Sequence, residues 1–250
     1  MIVQRYELAG HVLELRTMYR NVHAFWREYV SEGEPEFVIE TGKADIEDER
    51  VRARRSAERD GRSDIYSTDE QLEALAVYRL VAEHMTKYGV LLFHGSAIAV
   101  DGEAYIFTAP SGTGKSTHAA LWRKYLGDRA VMINDDKPMI GISPDGARVF
   151  GTPYNGKHSL GTNSSAPLRA ICILGRGAEN SICEITAAEA YQTIVQQTLR
   201  PRDPAQMNKL LDVLDKVLSE TPLYRLGCDM SKEAVDLSFN TIRRDKQEEC

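Results

Sequence analysis

Apolar positions recur along the chain at two different periods. Up to Gly42 they form short runs with strand character: residues 2–8 and 12–17, separated by Gly10, then EFVIET at 36–41. Residues 18–30 are aromatic-rich and follow neither period. In residues 43–64, fourteen of 22 positions are charged, seven of each sign, which reads as a solvated mixed-charge surface. The interleaved acids argue against taking Arg50, Arg52, Arg54 and Arg55 as an anion-binding arm. Helical spacing begins near residue 67, where Ser67/Glu70 and Thr68/Gln71 have capping-box separation. Leu72, Leu75, Ala76, Leu80, His84, Met85 and Tyr88 then repeat near a helical turn, and Gly89 offers a stop. We place a boundary there, giving an N-terminal α+β region (1–89) and a core (90–250).

Strand signals dominate the start of the core. VLLF (90–93) and AIAV (97–100) precede Asp101-Gly102 and EAYIFTA (103–109), and a DG pair between apolar runs predicts a tight hairpin. A glycine-rich loop follows, then a helix over 117–126 closed by Gly127, and a buried strand, RAVMIN (129–134), ending in Asp135-Asp136. Short strands are expected at 137–142 and 147–150, around the Pro144-Asp145-Gly146 turn, and a loop at 151–167. LRAICIL (168–174) and SICEIT (181–186) read as paired strands, and helices at about 187–199, 204–219 and 232–243 close the chain. Thr186/Glu189 and Asp203/Gln206 have capping-box spacing, and Pro204 suits a first helical turn.

Composition narrows the function classes. The 250 residues allow one large or two small domains, and 42% apolar with 27% charged residues describes an ordinary globule. A net charge of −6 is the wrong sign for a general nucleic-acid binder. No apolar run reaches membrane-spanning length, and the N-terminus does not read as a secretory signal. Cys172, Cys183, Cys228 and Cys250 show no metal-ligand or disulfide spacing, which together with the N-terminus points to a cytoplasmic protein.

Residues 109–117 read Ala-Pro-Ser-Gly-Thr-Gly-Lys-Ser-Thr, between a predicted strand and a predicted helix. This is the setting of a phosphate loop, with Ala109 where the first glycine usually stands. Gly112 and Gly114 let the backbone direct several N–H groups at one anion, and the helix beginning near Ser116 adds its positive end. Lys115 can reach the β/γ-phosphates, and the Ser116 hydroxyl can ligate the Mg²⁺ (or Mn²⁺) that bridges them. Ser111, Gly112, Thr113, Gly114, Lys115, Ser116 and Thr117 are therefore the donor-binding candidates. Asp135 and Asp136 follow at a strand end, where one carboxylate can hold metal while the other accepts a proton from an attacking hydroxyl. Lys157, in the glycine-rich loop, and Arg176, between Gly175 and Gly177, are candidates for neutralising the transferred phosphoryl. Arg200 and Arg202 are weaker candidates. His118 is expected on the helix surface, and Trp122 and Tyr125 in the core.

The run His94-Gly95, the DG hairpin, Ser111–Thr117 and Asn134-Asp-Asp-Lys137 resembles the core of the HPr kinase/phosphorylase and ATP-dependent phosphoenolpyruvate carboxykinase superfamily. The fainter run from Gly151 to Gly177 resembles its small HPr-kinase-like members. The resemblance implies an α+β fold: a P-loop in a bent, mostly antiparallel or mixed sheet with flanking helices. It also implies roles: His94 near the phosphate site, Asp135 as base and Asp136 as metal ligand beside Ser116. The expected activity is Mg²⁺-dependent transfer of a phosphoryl group from ATP to a hydroxyl, as in a protein or peptide Ser/Thr kinase. A metabolite-alcohol kinase, with GTP or pyrophosphate as an alternative donor, and a non-catalytic nucleotide-binding module are the competing readings. Partners would be a nucleotide and a hydroxyl acceptor, without nucleic acid or membrane, and homo-oligomerisation is left open.

Overall fold

The first strands are joined by a left-handed turn at Ala9-Gly10. β1 (Ile2–Leu8) and β2 (His11–Thr17) pair antiparallel, and β3 (Phe37–Glu40) adds parallel to β2 after a connection containing the short helix α1 (Asn21–Phe25). Strand alternation buries Tyr6, Leu8, Leu13, Leu15, Phe37 and Ile39. The structure is a computed structural model, and it describes residues 1–59, 61, 67–156, 159–177 and 179–244.

The charged segment is helical as far as Arg59: α2 (Lys43–Arg59) packs on α3 (Asp69–Met85). Its helicity escaped the sequence pattern because only Ile46, Glu49 and Ala57 are buried, and one of those is an acid. Glu49 is held by Arg79 of α3 through two bonds of 2.6 and 3.2 Å, with Arg52 at 3.3 Å. Arg50 is likewise tied to Glu47 and Asp69, so neither arginine is spare for an anion. A reciprocal capping box starts α3: Gln71 N–H donates to Thr68 Oγ1, and Thr68 N–H to Gln71 Oε1.

Chain contacts divide the molecule into two compact units, Met1–Met85 and Thr86–Cys250. The second contains β4 (Val90–Leu92), β5 (Ser96–Val100), β6 (Glu103–Thr108), α4 (Lys115–Leu126), β7 (Ala130–Asn134), β8 (Met139–Ser143), β9 (Gly146–Phe150), β10 (Ser165–Arg176), β11 (Ser181–Glu184), α5 (Ala187–Gln196), α6 (Pro204–Glu220), β12 (Leu223–Cys228) and α7 (Lys232–Arg244). The strands form one nine-stranded sheet in the order β4-β8-β9-β10-β6-β5-β7, with β12 on β10 and β11 on β12. β10 is long enough to serve both limbs of this curled sheet. Its first residues pair antiparallel with β9, and its later ones run parallel to β6 and β12. The fold is therefore a mixed α+β sheet with flanking helices.

The expected pairing of 168–174 with 181–186 is corrected here, because β12 lies between them, parallel to β10 and antiparallel to β11. β12 itself was not anticipated. Helix terminators surround it, yet Leu223, Tyr224 and Leu226 are buried as a central strand requires.

Side chains alternate across the sheet to form two cores. On one face Ile106, Ile133, Ile171 and Ile173 pack with Ala190 and Ile194 of α5 and with Leu210, Leu214 and Val217 of α6. On the other, Phe107, Met132, Cys172 and Leu226 pack with Trp122 of α4 and with Val235, Phe239 and Ile242 of α7. Trp122 is thus core, as expected, and Tyr125 packs partly buried against the same cluster.

His118 is not on the surface. It is 2% exposed, accepts from Trp122 Nε1 at 3.1 Å and lies 3.3 Å from Ser238 Oγ. Burial lowers its pKa from 6.5 to about 4, so it is a neutral core histidine. Among the described residues no helix is long and apolar enough to cross a membrane.

Candidate functional site

The loop after β6 has the geometry its composition demands. Gly112 (φ 79°) and Gly114 (φ 117°) are left-handed, a conformation that side-chain-bearing residues rarely adopt, and Gly114 N-caps α4. Thr113 closes the turn through Oγ1 to the Pro110 carbonyl at 2.9 Å. Ser111, Gly112, Ser116 and Thr117 are exposed along the rim. Lys115 is 8% exposed and lies back across its own loop, donating to the Ala109 and Pro110 carbonyls at 2.8 and 3.4 Å. Desolvation lowers its pKa, opposed by the Asp136 charge and reinforced by Lys137. Arg176 reaches the outer side of the loop, where Nη2 donates to the Gly112 carbonyl at 3.0 Å.

The histidine and the carboxylate pair are fixed to the start of this loop by the backbone. Thr108, the last residue of β6, donates its hydroxyl to the His94 carbonyl at 3.0 Å. Gly95 N–H donates to the Asp136 carbonyl at 3.1 Å, and Ser96 Oγ to the Asp135 carbonyl at 3.0 Å. Next to these anchors, His94 Nε2 lies 3.3 Å from Asp136 Oδ1 and Lys137 Nζ lies 2.8 Å from Asp136 Oδ2. Burial works to raise the Asp136 pKa, but the bonds from His94 and Lys137 prevail and hold it at about 2. Asp136 is therefore a permanently ionised carboxylate, suited to a cation and too acidic to take up a proton near neutral pH.

Asp135 occupies a different environment. It is 4% exposed; Oδ1 accepts from Gly156 N–H at 2.6 Å, while the buried Oδ2 has no hydrogen-bond partner among the described residues. Gly156 packs against both acids, so a Cβ there would stand 3.1 Å from Asp135 Oδ2 and 3.2 Å from the Asp136 Cβ. A buried carboxylate oxygen without a partner is expensive, and native proteins keep such atoms mainly where a ligand completes them.

The structure thus gathers His94, Lys115, Asp135 and Asp136 at one end of β5, β6 and β7, with Arg176 bonded to the loop at Gly112. Lys157 lies outside the described residues. Two participants were not anticipated. Lys137, which the sequence places only at the end of the Asn134–Lys137 run, pairs with Asp136 and also acts electrostatically on Lys115. Gln197, just past α5, accepts from His94 twice, through its backbone carbonyl at 2.7 Å and its Oε1 at 2.8 Å from Nδ1. It is distant in sequence, and nothing local marks it. Among the described residues no three His, Cys, Asp or Glu side chains could hold a metal ion by themselves. The residues present still fit Mg²⁺, which is commonly held by one or two carboxylates together with substrate phosphates. Asp136 and Ser116 would supply the protein's share.

Comparison with known proteins adds a family to this geometry. A family model described as "SynChlorMet cassette protein ScmC" matches residues 64–233, which include the glycine-rich loop and the acid pair. The chain belongs to the ScmC family. No curated protein matches it. Among solved structures, the Hpr(Ser) kinase/phosphatase from Coxiella burnetii is similar over 62% of this ScmC-family chain and 98% of its own, at 8% identity and a TM-score of 0.39. That similarity is distant, so assigning chemistry to the ScmC-family site depends on its residues.

Proposed function

We propose that this chain is a phosphotransferase that binds Mg-ATP in the loop Ser111–Thr117 and passes the terminal phosphoryl group to a hydroxyl. The supporting observation is the difference between adjacent acids beside that loop: Asp136 is held ionised, while Asp135 keeps a buried oxygen without a partner among the described residues. Asp136 and the Ser116 hydroxyl would hold Mg²⁺, which supplies charge neutralisation at the β/γ-oxygens. Lys115 would leave its loop carbonyls for the phosphates. Asp135 would accept the proton of the attacking hydroxyl at Oδ2, and His94 would keep Asp136 in place. Arg176 would steady the loop backbone at Gly112. Positioning and charge placement carry most of such a reaction.

Lys115→Ala tests the donor site. Calorimetric titration with Mg-ATP, and with pyrophosphate in parallel, should show binding to the wild type and its loss in the variant, with a stability cost of about 1 kcal/mol from the lost bonds to the loop carbonyls. Equal affinity of both proteins for every donor removes the proposal. Donor binding without phosphate uptake by any protein, peptide or metabolite hydroxyl would instead make the chain a nucleotide-binding module.

A further inference from the structure

Asn134 is the last residue of β7, fully buried and immediately before the acid pair. Its amide has two faces with different partners. Oδ1 accepts from the backbone N–H groups of Asp136 and Lys137 at 2.9 and 2.6 Å. Nδ2 faces the Thr152 carbonyl and Oγ1, both at 3.2 Å, the Tyr154 carbonyl at 3.4 Å and Asn155 Oδ1 at 3.1 Å. One side presents only donors and the other presents oxygens, so the orientation of the amide is fixed by chemistry. Thr152 Oγ1 donates onward to the Lys137 carbonyl at 2.7 Å, closing the circuit.

We infer that Asn134 is a positioning residue for the phosphoryl transfer proposed above, on which this inference rests. One half of its amide holds the turn that carries Asp136 and Lys137. The other half holds 152–155, and the next residue, Gly156, donates to Asp135 Oδ1. Beside the backbone anchors from Gly95 and Ser96, the Asp136 turn and the Gly156 donor to Asp135 are therefore linked through a single side chain. Only a primary amide serves both faces. Aspartate keeps the first face but turns an oxygen toward the Thr152 and Tyr154 carbonyls, which cannot donate. Alanine abandons both faces. Displacing a reacting group by about 1 Å can cost on the order of 10²-fold in rate.

Asn134→Asp, Asn134→Ala and Thr152→Val separate this role from a merely structural one. In backbone amide NMR spectra of the full chain, Asn134→Asp should keep the Asp136 and Lys137 resonances and move that of Gly156. Asn134→Ala should move all three. With Mg-ATP as donor and water as acceptor, kcat of Asn134→Asp should fall on the order of 10²-fold while KM for Mg-ATP stays within about twofold. Thr152→Val, which leaves the Oδ1 face intact, should show a smaller fall of the same kind, and it carries the test if the alanine variant does not fold. Wild-type kcat in Asn134→Asp, or KM worsening in step with kcat, overturns the inference. If the wild type binds no donor, the proposed function fails. The amide spectra still decide the positioning: an unmoved Gly156 resonance in Asn134→Asp overturns it.

Discussion

Glu73 in the first unit and Asp135 in the second are both shut away from solvent, at 0% and 4% exposure. Glu73 is fully engaged. Oε1 accepts from Met18 N–H at 2.6 Å and from Thr41 Oγ1 at 2.8 Å, and Oε2 accepts from Tyr19 N–H at 2.8 Å. Those bonds tie α3 to the end of β2 and to the residue after β3. Asp135 has one bond, and its second oxygen has no hydrogen-bond partner among the described residues. Equal burial therefore means different things: a completed carboxylate is a structural joint, and an incompletely bonded one is the candidate for the proton transfer proposed above.

The sharpest way to break this contrast is Asp135→Asn. Transfer from Mg-ATP should fall on the order of 10²–10⁴-fold. Stability in urea should change by less than about 1 kcal/mol, because little is lost from the fold. A variant that unfolds readily but turns over normally would place Asp135 with Glu73. The mirror experiment is Glu73→Ala, which leaves two backbone donors and a hydroxyl unsatisfied. It should cost about 3 kcal/mol in urea unfolding of the first unit, while calorimetric affinity for Mg-ATP is retained.

His118 extends the comparison to pH. Its folded pKa, about 4, lies below the ordinary 6.5, so the neutral form is the native one. Stability should be fully present above pH 6.5 and decline by about 3 kcal/mol as pH falls from 6.5 toward 4. His118→Phe should flatten that window in a series of thermal melts. Asp136, depressed to about 2, should affect stability only in more acidic solution, as pH falls below the ordinary carboxylate value of 3.8. A smaller effect is expected from Thr68→Ala, which should cost about 1 kcal/mol through loss of the α3 cap, measured by the same urea unfolding.

The strand–glycine turn–helix geometry of residues 103–126 was legible because its requirements are local: glycines that can turn, a lysine after them, a strand before and a helix behind. The two hairpin turns at 101–102 and 144–146 were legible for the same reason. What stayed hidden depends on partners far along the chain. Glu49 reads as one more surface acid until Arg79 of α3 closes on it. His118 reads as a polar helix residue until Trp122 and Ser238 surround it. β12 has a strand's apolar residues, but its place between β10 and β11 follows from the parallel ladder with β10. Asn134 stands in plain view beside the acids, yet no spacing rule announces that its amide joins them to residues 152–155.

The ladder of β6 has a consequence for how the molecule is made. On one side β6 pairs with β5, its predecessor in a tight hairpin. On the other it pairs with β10, which leaves the ribosome only after the acid turn and the whole loop that follows. β10 in turn waits for β12, near the end of the chain. During synthesis, then, the strand that leads into the glycine-rich loop emerges early with one edge bare, and β10, which covers that edge, arrives later. Long-range parallel pairing of this kind forms slowly and leaves unpaired edges exposed to other chains. A nascent chain stalled before residue 165 would carry the complete loop sequence without the strand that pins its far side.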